Sequence, residues 1–386
     1  MRKSASLAVV FQIGSLGDTV LSVPSLVSLR ELLPGCSDYL LLSGFQGNKK
    51  VHPGQIFDMA WPAKKTLNYK AKGKRVECLL SAAGALARLR YYRPRYGVYL
   101  LPSARLQHQV DRDISFFHAA GVRELHGFRT LTPQERPLKE EVSKFTTESF
   151  LRFKRLWNDQ AEEKYDGYCH SPLLRPPDAA VTAVKSWLAH NRRKPSLALI
   201  TVCPFSNDTA RDLAPSVVVS LLKKMESELR VETILLGGSK DHARIEKICL
   251  EAGTGLNACG VFSPSESAAL FSQSKLAVCV DSGPLHLAGA VDVPTVVAYA
   301  VVNKPFHLFF PLGQNHTLLY QKVSCAGCGQ TVCPVEGHPC MSRTTDQQIF
   351  QAIRDKLAVG SVDAGSLRET QVLQWPQVAQ ETLHVV

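Results

Sequence analysis

Three clusters of residues in this 386-residue chain have types and spacings that could do chemistry. The sharpest is Asp281-Ser282-Gly283-Pro284-Leu285-His286-Leu287-Ala288, directly after the apolar run Leu276 to Val280. Read as a strand running into a helix, it places Pro284 in the first helical turn, where a fixed φ and a missing N–H are tolerated. Gly283 before it would let a ligand approach the backbone closely. The positive end of a helix at such a turn suits a phosphate or pyrophosphate. That makes Asp281, Ser282, Gly283, Leu285 and His286 candidate contacts. Asp281 and Ser282 would equally serve as a plain helix cap, and a single histidine such as His286 is more often a packed core group.

The second cluster is Gly14-Ser15-Leu16-Gly17-Asp18, after the apolar run Leu7 to Ile13. It is neither G-x-G-x-x-G nor a P-loop, so a dinucleotide cofactor and ATP hydrolysis lose support. Ser15-x-x-Asp18 reads as a capping box, and on spacing alone the cap is the stronger reading for Asp18. The third cluster is Cys325-x2-Cys328-x4-Cys333-x6-Cys340, with glycines and prolines between the thiols. Four thiols this close could fold a tetrahedral site for a structural zinc or iron. Only one pair has C-x2-C spacing, so no standard zinc ribbon is implied, and free or redox-paired thiols are the alternative. No base is evidently paired with any of the four, which argues against a nucleophilic cysteine.

These clusters must be positioned by a globular scaffold: 45% of residues are hydrophobic and 20% charged, which excludes wholesale disorder. No apolar run approaches the roughly 18 residues of a membrane span. The start lacks a cleavage pattern and reads as a buried first strand. With 11 cysteines, odd in number and mostly dispersed, a reducing compartment fits better than a disulfide framework, so a cytoplasmic protein is expected. The net charge of +11 is uneven: from Lys64 to Arg95 ten Lys or Arg, Lys72 among them, face one acid, Glu77. Such a stretch attracts an anionic membrane surface or an acidic acceptor, with a solvated loop and helix face as the plain alternative. Nucleic acid is the weakest candidate, since no recognition motif accompanies the charge.

Short apolar runs alternate with helical stretches, the pattern of parallel sheets built from βαβ units. Strands are expected at 7–13, 39–42, 98–101, 197–202, 232–236, 276–280 and 296–302. Val142, Phe145, Ser149, Phe150, Phe153 and Trp157 recur at helical spacing, so one face of that helix is core. The prolines of Ser171 to Pro177 mark a linker. The organisation expected is an amino domain 1–172, a carboxyl domain 178–358 with the cysteine-rich loop 325–340, and a polar, weakly patterned tail 359–386. Two doubly wound halves would put a ligand cleft at the carboxyl ends of both sheets.

Gly17-Asp18-Thr19-Val20-Leu21-Ser22-Val23-Pro24, with Leu29-Arg30 after it, resembles the amino-terminal signature of glycosyltransferase family 9, the heptosyltransferases. Asp281 to Ala288, followed by Val293-Pro294-Thr295, resembles the carboxyl signature of the same family, and Gly237-Gly238 and Asn257-Ala258-Cys259-Gly260 fall where it carries a glycine turn and an N-x-x-G step. The resemblance runs from about Leu7 to Ile353. It implies a GT-B fold of two Rossmann-like domains, with the acceptor on the amino domain beside Gly14, Ser15 and Gly17. An ADP-sugar donor would lie on the carboxyl domain, and transfer would be inverting without a catalytic metal. Asp18 would be the general base, and the turn 282–285 would stabilise the departing diphosphate.

The chain departs from the family pattern in three places. Thr209 to Pro215 has Arg211 in a basic position and no Trp; Arg could still clamp a diphosphate. Tyr299-Ala300 replaces Phe-Gly, and Lys240 and Asp241 stand where relatives place an acidic donor contact. The expected activity is transfer of a sugar, of the heptose type, from an ADP-sugar to a hydroxyl acceptor. That acceptor would be an anionic lipopolysaccharide core met at the cytoplasmic face of the inner membrane, or else a protein or small natural product. A sugar-nucleotide epimerase and a non-catalytic sugar-nucleotide or polyanion binder are the competing classes.

Overall fold

The computed structural model describes residues 6–45, 51–70, 73–136, 143–170, 172–359 and 371–374. The first sheet contains β1 (Ser6–Gln12), β2 (Cys36–Phe45), β3 (Lys65–Lys70), β4 (Tyr96–Tyr99) and β5 (Glu124–His126) in the order β3-β2-β1-β4-β5. The second contains β6 (Ala198–Cys203), β7 (Val231–Leu235), β8 (Leu256–Asn257), β9 (Leu276–Val280), β10 (Thr295–Ala298), β11 (His316–Tyr320) and β12 (Gln371–Gln374). Its order is β12-β11-β10-β9-β6-β7-β8. All pairings in both sheets are parallel. Helices cover both faces of a parallel sheet, so its central strands are continuous apolar runs; β4, β7, β9 and β10 are buried along their whole length.

Each sheet has one switch point, between β1 and β4 in the first and between β6 and β9 in the second. Ligands of open α/β sheets bind outside the carboxyl ends of the strands at such points. The chains leaving β1, β6 and β9 there carry Asp18, Arg211 and Asp281 respectively. The halves join directly: the helices Leu16–Val20 and Gly283–Ala290 pack on each other. One apolar core runs through both, holding Val10 and Val20 together with Leu285 and Leu287. Residues 172–177 have no regular structure, and the N–H groups of Leu173 and Leu174 donate to the Ala290 carbonyl at 2.8 and 3.0 Å.

Several sequence expectations need correction. The basic run is not one solvated loop and helix face: Lys65 to Lys70 is the edge strand β3, and Arg75–Tyr92 is a helix. An edge strand needs only one apolar partner row, so its lysines masked it. The last apolar run stops as a strand at Ala298, since Val301 and Val302 leave the sheet to accept hydrogen bonds from Gly327 and Gly329. The helix expected from Val142 begins at Glu148, capped by the Thr147 hydroxyl, and Val142 lies outside the described residues, as does Lys72. Part of the expected polar tail, Gln371–Gln374, is strand β12 against β11. β5, β8 and β11 were too short or too mixed in composition to read.

Candidate active site

The backbone of Ser15 is extended as the chain turns from β1 into the helix Leu16–Val20, and Ser15 and Asp18 form a reciprocal capping box. One Asp18 carboxylate oxygen accepts from the Ser15 N–H at 2.9 Å and from its hydroxyl at 2.8 Å. A side chain at Gly14 would collide with Asp18, an added Cβ lying 2.6 Å from the Asp18 Cβ, so this glycine is what lets the carboxylate fold back over the turn. The other oxygen faces Arg152 Nη2 at 3.3 Å, while Arg152 Nη1 donates to the Asp18 carbonyl at 2.6 Å.

Arg152 is fully buried. Its Nε donates to Glu148 at 2.8 Å, and Glu148 is itself held by the Ser103 N–H and hydroxyl, both at 2.6 Å. Burial pushes the Asp18 carboxyl up, but Arg152, the two Ser15 donors and His286 outweigh it, and Asp18 is held below the usual carboxylate range. It is therefore a carboxylate at neutral pH while also forming half of the cap.

Across the interface, Asp281 is buried at the end of β9. Burial raises its carboxyl to about 6, against the opposing pull of Arg211 and the Asn303 amide. Arg211 lies in the turn after β6, its Nε 3.4 Å from Asp281 and its Nη1 3.5 Å from Asp208. His286 is buried, and desolvation lowers its imidazole to about 4, so the ring is neutral at pH 7. Gly17 is the point of contact: an added Cβ there would lie 2.6 Å from the His286 ring. Gly283 is occupied likewise, Leu16 standing 3.0 Å from where its Cβ would be. The close approach this glycine permits is thus taken by the other half of the molecule. The Leu285 N–H donates to the Ser282 carbonyl at 3.2 Å, and the Ser282 hydroxyl donates to the Val280 carbonyl at 3.1 Å.

The loop after β7 forms a third side. Gly237 packs against Cys259 and Asp241, the Gly238 N–H donates to Asp241 at 3.1 Å, and Lys240 donates to the Ser206 carbonyl at 3.1 Å. Burial raises the Asp241 carboxyl. Lys240 therefore joins the loop after β7 to the loop after β6 that carries Arg211.

Among the described residues, His286 Nδ1, Arg211 Nε and both amide atoms of Gln12 are buried without a hydrogen-bond partner. Buried polar atoms are seldom left so, and a polar ligand reaching these groups would satisfy them. Gln12, Arg152, Glu148 and Ser103 escaped the sequence reading. The one available signal was Glu148-x-x-x-Arg152, an i,i+4 pair inside a helix whose core face is aromatic.

All eleven cysteines are free thiols. Cys325, Cys328, Cys333 and Cys340 surround a cavity of about 40 Å³ together with His338. Burial, reinforced by the other three thiols, raises Cys340 to about 11. Their loop grips the Arg211 turn: Ala210 N–H donates to the Thr331 carbonyl at 3.0 Å, and His338 Nε2 donates to the Ala210 carbonyl at 2.8 Å. Among the described residues, the group of metal-ligating side chains with atoms all within 4.8 Å of one another is a different one, Asp166, Cys169 and His170.

Residues 220–338 match the model of glycosyltransferase family 9 (heptosyltransferase). The resemblance to that family holds. The segment covers β7 to β11, the Asp281–His286 turn and most of the cysteine loop. A family 9 glycosyltransferase from Veillonella parvula superposes with a TM-score of 0.67 at 15% identity, covering 93% of this chain and 99% of that one. The E. coli ADP-heptose lps heptosyltransferase II gives 0.62 at 15%, covering 92% and 100%. E. coli heptosyltransferase WaaC with ADP-2-deoxy-2-fluoro heptose gives 0.52 at 13%, covering 90% and 99%. No curated protein matches the chain in sequence. The two parallel sheets are those of the GT-B heptosyltransferase structures, and the family match together with these structures supports a glycosyltransferase.

Proposed function

We infer that this glycosyltransferase moves a sugar, of the heptose type, from an ADP-sugar to a hydroxyl acceptor with inversion, and that Asp18 is the general base. The supporting observation is the juxtaposition of an ionised, cleft-side Asp18 with His286, Asp281 and Arg211 across one interface. In the reaction the acceptor oxygen attacks the anomeric carbon, its proton passes to an Asp18 carboxylate oxygen, and the bond from that carbon to the diphosphate oxygen breaks. The leaving diphosphate gains negative charge, which Arg211 would balance, its fork being suited to a diphosphate. Arg152 positions Asp18 and keeps it ionised. Gly237, Lys240 and Asp241 would border the donor, and Gly14, Ser15 and Gly17 the acceptor, with domain limits at 172 and 178.

No metal is needed for this step. The four cysteines of the loop line one cavity, and thiolates are the ligand type that suits a structural soft metal, although no three of these sulfurs lie within 4.8 Å of one another. Zinc or iron there would hold the loop and, through Ala210, the Arg211 turn. The acceptor is proposed to be an anionic glycolipid of the lipopolysaccharide type.

Mass-spectrometric product analysis with ADP-, UDP- and GDP-sugars and a cell-envelope acceptor extract tests the assignment. Free ADP together with a glycosylated acceptor, formed only when both substrates are present, is expected. An altered sugar nucleotide without acceptor would make the protein an epimerase. Binding without turnover in every combination would make it a binder.

A further inference from the structure

The helix Arg75–Tyr92 has two apolar faces. Ala85 and Leu89 on one are buried in the core beneath β3. The other faces water: Val76, Leu79, Leu80 and Tyr91 are 67, 62, 69 and 81% exposed, and Ala83 and Ala87 between them are exposed as well. Positions 76, 80, 83, 87 and 91 follow helical periodicity, so these side chains form one stripe along the outward surface. Of nine large hydrophobic residues exposed among the described residues, four sit on this helix. Scattered exposed hydrophobics need no explanation, but a contiguous stripe does.

The stripe is bordered by bases. Arg75 lies on one flank and Arg88 on the other, with Lys74 and Arg93 at the ends, all exposed; Arg90 is held by the Ala119 carbonyl, to which its Nε donates at 2.9 Å. The only acid on the helix, Glu77, is paired with Lys70 at 2.8 Å. Alongside runs a groove of about 500 Å³ between the helix and the edge strand β3, lined by Lys65, Thr66, Arg88 and Tyr92 among others. An apolar ridge with same-sign charge on both flanks suits a surface that is apolar inside and negative outside. A second copy does not fit, because a two-fold pairing would set bases against bases. Nor is the helix a span, since no helix among the described residues is long and apolar enough to cross a membrane.

We propose that the helix Arg75–Tyr92 lies in the interface of an anionic phospholipid bilayer. The Val76–Leu80–Tyr91 stripe is sunk to the acyl boundary, and its flanking bases meet lipid phosphates. The inference stands on this surface alone and does not depend on which sugar or acceptor the enzyme uses. Its failure would leave the transfer reaction untouched, and the reverse holds too.

Co-sedimentation of the full chain with vesicles tests it, using phosphatidylcholine alone and phosphatidylcholine mixed with phosphatidylglycerol. Binding is expected to the mixed vesicles, falling as salt is raised. Leu80→Asp, at a position already facing water and checked for an unchanged melting temperature, should weaken binding at least about tenfold. Arg88→Gln should weaken it by roughly fivefold, the scale of one base near a charged surface. Tyr91→Trp should show a blue-shifted emission quenched by brominated acyl chains. No binding to either vesicle, or undiminished binding by Leu80→Asp, would overturn the proposal. So would a concentration-dependent dimer that Leu80→Asp dissolves, because the stripe would then be covered by a second copy.

Discussion

Replacing Asp18 with Asn separates its two roles. An Asn oxygen can still accept from the Ser15 N–H and hydroxyl, which now lie 2.9 and 2.8 Å from the carboxylate. The cap therefore survives in outline. Arg152 loses its contact at 3.3 Å but keeps Glu148 at 2.8 Å and the Asp18 and Leu100 carbonyls at 2.6 and 3.4 Å. One charge-assisted hydrogen bond on a partly exposed carboxylate is worth about 1–2 kcal/mol, too little to unfold a protein with roughly 5–15 kcal/mol in hand. A lost general base is larger: kcat should fall about 100-fold or more, or roughly 2.7 kcal/mol of barrier.

Urea denaturation should therefore show a modest loss of stability, while turnover at saturating donor collapses and donor Kd changes little. Asp18 is held below the ordinary carboxylate range, so wild-type kcat should stay level as pH falls through that range and decline only below it. Asp18→Asn should lack this acidic limb. Near-normal turnover by a folded Asp18→Asn protein would refute the base assignment and leave Asp18 as a helix cap alone.

Donor affinity should carry its own pH dependence. Asp281 is raised to about 6, so its protonation removes a negative charge 3.4 Å from Arg211 Nε, and ADP-glucose, whose diphosphate does not titrate in this range, should bind about three- to tenfold more tightly at pH 5.5 than at 7.5. By the same sign, the ionised form of Asp281 penalises the free protein, so its contribution to stability falls as pH rises from the unfolded value of 3.8 through about 6; calorimetric titration of Asp281→Asn should be flat where wild type slopes. Protein purified without chelators should contain near-stoichiometric zinc or iron if the cysteine loop binds metal, and a chelator should lower its melting temperature; elemental analysis showing none would remove the metal.

Much of the scaffold was legible because its signals are local. Buried parallel strands favour continuous apolar runs, and the strands β1, β6 and β9, with β7 despite its Glu232, were readable within a residue or two. The turns after β1 and β9 announced themselves through glycine, proline and a capping pair. Four of the strands hidden from the sequence, β3, β5, β8 and β12, are edges, where one row of contacts suffices and composition carries little information; the inner strand β11 was hidden by its polar start, His316-Thr317.

The site was only half visible for a different reason. Asp18 and Asp281 could be named from their turns, but charge state is a property of surroundings. Arg152, 134 residues from Asp18 in sequence, and the burial of Asp281 beside Arg211 drive two aspartates in opposite directions. Sequence alone determined which strand ends bear reactive groups. Only the tertiary structure decided that Gly17 would meet His286 and Gly283 would meet Leu16, because contact between two separately folded turns depends on how two sheets are set against each other, and no local pattern encodes that. The outward stripe on Arg75–Tyr92 belongs to the same class: the helix carries apolar residues on two faces, and packing alone selects which face is left to the solvent.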